Sequence, residues 1–304
     1  MRLLTDLNFS LEDTAVCIGK FDGLHRGHRT LLREAEKSGL PIVMITFLFS
    51  GNKGIYSYEE KQFLAGELGI DFLVVIPATR EFLQMSAEEF ISDILVKRCH
   101  AKKVVVGADF CFGYKRRGNA ETLQAAGKEY GFEVCVMEKL RWEGDVVSST
   151  RIRRLLEDGR MEQVNFLLET PYFIKGTVAE GNRIGRTMSV PTANIRPSVE
   201  KVLPPFGVYA VHVLAGKKRY GGVCNLGVKP TIPGKNPVGA EVWLFDYSGN
   251  LYGEDIVLYL HAYQRPERKF ETIENLHEQI LYDTEQAKEI LARLGKNKEG
   301  KICF

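Results

Sequence analysis

The feature that most limits the fold of this chain is a change of rhythm near its middle. Up to about residue 168, short apolar runs alternate with amphipathic segments. "TAVCIG", "PIVMITF", "DFLVVI", "KKVVVG" and "FEVCVM" predict buried strands, and "HRTLLREAEKSG", "SAEEFISDILVKRC" and "NAETLQAAGKEYG" predict helices between them. Alternation of this kind implies a parallel sheet covered by helices on both faces. Gly39 and Gly131 stand where helix C-caps favour a left-handed residue. After "ETPYFIKG" Gly and Pro become frequent, and "GVYAVHVL", "KRYGGVCN", "AEVWLFDY" and "DIVLYLHAY" predict a small antiparallel barrel or sandwich. A closing helix is expected from about Thr272 to Leu294. Ile273, Leu276, Ile280, Ala287, Ile290 and Leu294 form its apolar stripe, with Thr272 as N-cap and Gly295 as its end. The expected boundary lies around Leu168–Tyr172, which divides the chain into 1–168 and 169–304.

A chain of 304 residues has room for two such domains, each with its own core. The net charge of +2 gives no support for a protein that coats nucleic acid. No run approaches the roughly 18 apolar residues that a membrane helix needs, so no membrane partner is expected. The opening "MRLLTDLNFSLED" places acidic residues where a signal peptide needs an apolar segment, so no export is expected. Cys17, Cys99, Cys111, Cys135, Cys224 and Cys303 are scattered and form no C-x-x-C pair. They argue against a zinc site or a disulfide framework and fit a reducing cytoplasm.

Two short stretches carry the chemistry of the first half. His25-Arg26-Gly27-His28 follows the first predicted strand and opens the first predicted helix. That is the carboxyl end of a strand in an open α/β sheet, where ligands bind, and a helix N-terminus attracts phosphate. Two imidazoles there could donate hydrogen bonds to phosphate oxygens as charge develops. A capping or surface histidine pair is the plainer alternative. Ser148, Ser149 and Thr150 open a later helix that continues through Arg151, Arg153 and Arg154, which forms a second potential anion cradle. Standing alone, that stretch would be an N-cap and a solvated basic face.

The pair H-x-G-H and S-S-T-x-I-R resembles the signature of the nucleotidyltransferase superfamily. Together with "GKFDGLHRGH", "SAEEF", "VVVGADFCFG" and "VSSTRIR", it resembles the N-terminal module of the bifunctional riboflavin kinase/FAD synthetases. The resemblance implies a Rossmann-like N-terminal fold that adenylylates FMN, with FMN and ATP as substrates and FAD as product. It implies ATP contacts from Gly19, Phe21, His25, His28, Ser148, Ser149, Thr150 and Arg153, with His25, His28 and Arg153 serving catalysis. Asp109, Phe110 and Phe112 would border the flavin and the nucleotide. One departure stands out. The family usually has an aromatic-x-Pro-His-Pro run after the second strand, and this chain has "TFLFSGNKGIYS".

In the second half, "GTVAEGNRIGRTMSVPTANI" places Gly176, Gly181 and Gly185 ahead of Pro191-Thr192-Ala193-Asn194. Glycines allow backbone N–H groups close to phosphates, although in a β domain they also mark turns and bulges. Thr192 and Asn194 offer the hard oxygen donors that Mg²⁺ prefers. With "GVYAV", "CNLGVKPTI", "EVWLFDYSGNLYGEDI" and "RPERKF", this half resembles the riboflavin kinase module of the same family. The resemblance implies a small antiparallel β-barrel with a closing helix. Gly176, Gly181 and Gly185 would lie against ATP, Thr192 and Asn194 would hold Mg²⁺ and ATP phosphates, and Arg265 would contact the flavin. Glu241 would take the proton from the ribityl hydroxyl of riboflavin; without the resemblance it would be an ordinary solvated strand carboxylate. The family usually has Gly-Phe where this chain has Ser189-Val190, and Gly-Arg where it has Glu169-Thr170.

Three other readings remain open from the sequence. One is a riboflavin kinase with an impaired adenylyltransferase half, suggested by the altered loop. Another is a flavin- or nucleotide-binding regulator, for which "YKRRGN" and "RIRR" would allow contact with RNA. The third is a different H-x-G-H enzyme, such as an aminoacyl-tRNA synthetase or a pantetheine or nicotinamide mononucleotide adenylyltransferase, for which the second half would have no use.

Overall fold

Near-continuous apolar runs such as "IVMIT" suit a strand buried on both faces, and the first half of the chain builds a sheet of that kind. A computed structural model describes residues 1–49, 51, 53–179, 192–228 and 238–296. By internal packing the chain forms two units, Met1–Arg151 and Ile152–Phe304.

In the first unit, β1 (Arg2–Leu4), β2 (Thr14–Ile18), β3 (Ile42–Leu48), β4 (Phe72–Pro77), β5 (Ala101–Gly107) and β6 (Glu133–Met137) form one sheet in the order β1-β4-β3-β2-β5-β6. Every pairing in it is parallel. All five strands read from the sequence are present. β1 was not anticipated, because three residues are too few to show a period. Val16, Ile18, Val43, Ile45, Val74, Ile76, Val104 and Val106 join one core with Phe90, Ile91, Ile94 and Leu95. On alternate positions Ala15, Cys17, Met44 and Val105 are fully buried as well, so both faces are covered.

The helices include α1 (Arg26–Glu36), α2 (Tyr58–Glu67), α3 (Arg80–Gln84), α4 (Ala87–Glu89) and α5 (Ala120–Tyr130). α4 opens on a Ser86/Glu89 capping box and continues as a π-helix over Phe90–Arg98. Gly131 ends α5 in the left-handed region at φ 78°, whereas Gly39 (φ 70°) lies two residues beyond the Lys37 C-cap of α1. α2 was not anticipated: its sequence YEEKQFLAGE has no apolar stripe, and its start is fixed by a Ser57/Glu60 capping box.

α6 (Ser149–Glu157) spans the division between the units. The second unit contains α7 (Met161–Leu168), β7 (Tyr172–Thr177), β8 (Thr192–Ile195), β9 (Gly207–Ala215), β10 (Lys218–Val228), β11 (Val238–Leu244), β12 (Asp255–Pro266) and α8 (Ile273–Lys296). Its strands form one antiparallel sheet in the order β8-β11-β10-β9-β12-β7. The two edges meet just past β7, where the Ala179 N–H donates to the Asn194 carbonyl at 2.8 Å in an antiparallel bridge. The sheet therefore closes on itself as a small barrel. Asn165 of α7 donates to the carbonyls of Leu260 and His261 and accepts from the Tyr172 N–H, which ties α7 to this unit.

The Thr272 hydroxyl accepts from the Asn275 N–H and caps α8, as its sequence predicts. The helix runs through Gly295 to Lys296, one residue past the expected end. Its buried stripe also differs. Ile280 and Ala287 are buried, with Ala287, Ile290 and Leu291 against Val208, Ala210, Val223 and Phe245, but Leu294 is exposed. Asp283, only 4% exposed, holds a place in the stripe. Arg265 makes this possible: its Nε and Nη2 donate to the Asp283 carboxylate at 3.0 and 2.6 Å, and Gln279 donates to it at 2.6 Å. Asp283→Ala should destabilise this unit by about 3 kcal/mol, because it strands a partly buried guanidinium. Glu285→Ala, which breaks an exposed, solvent-screened pair with Lys288, should leave the stability nearly unchanged. Thermal unfolding of the two variants checks the contrast.

Candidate active sites

β2 lies at the topological switch of the first sheet, with β3 on one side and β5 on the other. Strands on its two sides are reached by connections running in opposite directions, which opens a crevice beyond its carboxyl end. A cavity of about 630 Å³ lies there, within the usual range for small-molecule sites. Its polar end is made by Gly19, Lys20, Phe21, His25, Gly27 and His28 after β2, and by Ser148, Ser149 and Thr150 at the start of α6. Its apolar wall carries Phe47, Phe49, Phe82, Phe90, Phe110 and Phe112. Asp109, Arg116 and Lys139 also line it, and Lys139 pairs with Asp109 at 2.8 Å. A flat aromatic ring system at one end and phosphates at the other would suit this lining.

The β2–α1 loop reaches the cavity through left-handed residues. Phe21 (φ 45°), Gly23 (φ 88°) and Leu24 (φ 44°) all have positive φ, and Phe21 and Leu24 are fully buried. Non-glycine residues in this region are costly and are held only where surrounding packing fixes them. The fold of the loop places His25 at the N-cap of α1 in an extended conformation, with no side-chain cap bond. Its ring therefore turns away from capping and stacks on His28, with centroids 3.7 Å apart, and Phe21 meets His28 edge-on at 5.2 Å. Nδ1 of each histidine is buried and has no hydrogen-bond partner among the described residues.

Burial pushes the His25 pKa down to about 4, partly opposed by the Asp22 carboxylate. Burial also holds His28 well below the usual imidazole range, helped by His25 and then by Lys61. Both rings are thus neutral near pH 7, and each keeps one N–H to donate. At the other side of the polar end, the Ser148 hydroxyl accepts from the Arg151 N–H and so caps α6, and Ser149 donates to the Asp22 carbonyl at 2.9 Å. The second bond ties the start of α6 to the β2–α1 loop. Of the residues assigned to this site from sequence, Gly19, Phe21, His25, His28, Asp109, Phe110, Phe112, Ser148, Ser149 and Thr150 line the one cavity. Arg153 follows on α6 and is not part of the lining.

The second candidate site is a row across the barrel. Asn194 on β8 lies opposite Glu241 on β11, Glu241 opposite Asn225 on β10, Asn225 opposite Val208 on β9, and Val208 opposite Arg265 on β12. Directly opposed residues share a face. Val208 packs with Ala287 of α8, so the row lies on the face that carries the helix. Thr192, two residues from Asn194, projects from the same face of β8. Thr192, Asn194 and Glu241 thus bring a hydroxyl, an amide and a carboxylate to one side of two paired strands. Asn225, absent from the sequence assignment, donates to Glu267 at 3.0 Å. Gly176 sits within β7 opposite Ile256, where an added Cβ would meet Ile195 only at ordinary contact distance. Gly181 and Gly185 lie outside the described residues, as do Ser189 and Val190.

Comparison with known proteins finds two family models in series. The FAD synthetase model matches residues 8–151 and the riboflavin kinase model residues 168–291. The "Bifunctional riboflavin kinase/FMN adenylyltransferase" of Escherichia coli K12 is 38% identical over 292 residues, covering 91% of this chain and 93% of its own. The protein of the same description from Haemophilus influenzae is 37% identical over 302 residues, covering 95% and 97%. Among solved structures, a crystal structure described as a macrolide-efflux protein from Streptococcus pneumoniae superposes with a TM-score of 0.82. It is 29% identical and covers 94% of this chain and 98% of its own.

Proposed function

Because the chain belongs to the bifunctional riboflavin kinase/FMN adenylyltransferase family, we propose that it makes FMN from riboflavin in residues 169–304 and FAD from FMN in residues 1–168. The observation that carries the reading is the cavity at the β2 switch point, which joins a stacked neutral histidine pair to an aromatic wall.

At that cavity the FMN phosphate attacks the α-phosphorus of ATP, the α–β bridging bond breaks, and pyrophosphate leaves. No side-chain nucleophile is needed. His25 and His28 donate to phosphate oxygens as negative charge builds, and the free N–H groups at the start of α6 face the same anion. Asp109, Phe110 and Phe112 border the flavin, and Arg153 would have to reach the phosphates from α6. Of the altered segment, Phe47 near the end of β3 and Phe49 just after it line the cavity.

In the barrel, Glu241 takes the proton from the ribityl 5′-hydroxyl of riboflavin, and the hydroxyl oxygen attacks the γ-phosphorus of ATP in line, releasing ADP. Thr192, Asn194 and Glu241 offer only hard oxygen donors, a set that fits Mg²⁺. Thr192 and Asn194 would hold the ion, which when bound neutralises phosphate charge. Gly176, Gly181 and Gly185 border the ATP. Arg265 sits in the Glu241 row, where its link to Asp283 would let it hold the flavin while anchoring α8. Among the described residues Cys17, Cys99, Cys111, Cys135 and Cys224 are free thiols, which suits a cytoplasmic enzyme supplied with ATP.

The test is one incubation of the protein with riboflavin, ATP and Mg²⁺, followed by chromatographic separation of the flavins. FMN should appear first and FAD after it, and chelation of Mg²⁺ should stop the sequence at riboflavin. Riboflavin returned unchanged with Mg²⁺ present would overturn the reading.

A further inference from the structure

Lys61 lies behind the histidine cavity rather than in its lining, and no feature of the sequence marked it out. It stands in the first turn of α2, a helix whose start the Ser57/Glu60 capping box fixes. Its Nζ donates to the Lys20 carbonyl at 3.1 Å and to the Thr46 hydroxyl at 3.4 Å. Thr46, within β3 and only 1% exposed, donates to the same Lys20 carbonyl at 3.0 Å. Two donors from two different elements therefore converge on one backbone oxygen of the β2–α1 loop. The next residue is Phe21, with its costly positive φ and its ring against His28. A second tie secures the same loop, as the Ile55 N–H donates to Asp22 at 2.8 Å.

Charge points the same way as geometry. The ionisable groups that act on His28 are His25 and Lys61, and Asp22 acts on both His25 and Lys61. After burial and His25, the Lys61 cation is what disfavours a proton on His28.

We propose that Lys61 is a positioning residue for adenylyl transfer, acting by clamping the Lys20 carbonyl and so fixing the loop that seats His28. The proposal rests on the role given to His28 above. A methionine has similar length and would fill the same space. It would leave the Lys20 carbonyl to Thr46 alone and remove the cation. An arginine would keep both the charge and a donor.

The test compares the full-length protein with Lys61→Met and Lys61→Arg, using FMN, ATP and Mg²⁺ over a range of pH. Lys61→Met should lower kcat for FAD formation by about ten- to a hundredfold, the scale expected when a reacting group is misplaced by an ångström, with little change in the KM for FMN. Its acid limb should move to higher pH, because without the cation His28 takes a proton more readily. Lys61→Arg should keep the wild-type limb. Riboflavin phosphorylation by the same three proteins should be unchanged, which reports that the chain is folded. FAD formation at the wild-type rate with an unmoved acid limb in Lys61→Met would overturn the proposal. If the wild-type protein makes no FAD, the functional reading fails on its own. The His28 titration followed by NMR in the three proteins then decides for Lys61, and an unmoved titration in Lys61→Met refutes it.

Discussion

Glu241→Gln should leave a protein that converts FMN to FAD and makes almost no FMN from riboflavin. The amide keeps the size of the side chain and its place between Asn194 and Asn225 but cannot accept the ribityl proton. Loss of a general base lowers a rate by about 10²–10⁴-fold, so the kinase step should fall by that amount in kcat. Binding of riboflavin and ATP should change far less, since a base acts chiefly in the transition state. The barrel should remain folded, because Glu241 is half-buried at a polar row and not in the apolar core. Steady-state rates with riboflavin and with FMN, measured on the same preparation, separate the two steps. Wild-type kinase turnover in this variant would remove Glu241 from the mechanism.

His28→Ala should give the opposite phenotype: FMN accumulates from riboflavin and FAD does not follow. Removing one preorganised donor to a developing charge costs about 10²–10³-fold in kcat. The loss here should lie at the upper end, because His28 is also the surface on which His25 stacks and Phe21 rests. The kinase rate of the same protein controls for folding. A parallel fall of both activities in a folded chain would contradict the assignment of two separate sites.

These two predictions draw on information that the sequence carries to different degrees. The histidine pair was legible because its setting is local. A strand, a tight glycine-containing loop and a helix start all lie within "AVCIGKFDGLHRGH", so few residues decide where both rings stand. The Ser148–Thr150 helix start was legible for the same reason, although only the folded chain shows Ser149 bonded to the Asp22 carbonyl. Glu241 differs. Nothing near it in the chain distinguishes it from a solvated carboxylate. It becomes part of a row only through strand register with Asn194 and Asn225, and resemblance to a family had to stand in for that register. Asn225 was missed because no motif reading singled it out.

The misses in the fold follow from the same physics. α2 was invisible to periodicity because its buried residues are Glu60, Leu64 and Ala65 rather than an apolar stripe, and with it went Lys61. "TANI" drew attention as a set of ligands, and its role as the edge strand β8 went unread. Asp283 sits in the apolar stripe of α8 because Arg265, eighteen residues earlier in sequence, meets it there. Long-range pairing of this kind leaves no mark in local composition.

The central claim is that one chain carries two independent active sites working in series. It is tested most directly by mixing the two single-site variants, His28→Ala and Glu241→Gln, with riboflavin, ATP and Mg²⁺. Each variant alone should make almost no FAD from riboflavin. The mixture should make it, because FMN released by the first variant is taken up and adenylylated by the second. A mixture that yields FMN without FAD, although the Glu241→Gln protein converts added FMN, would contradict the account.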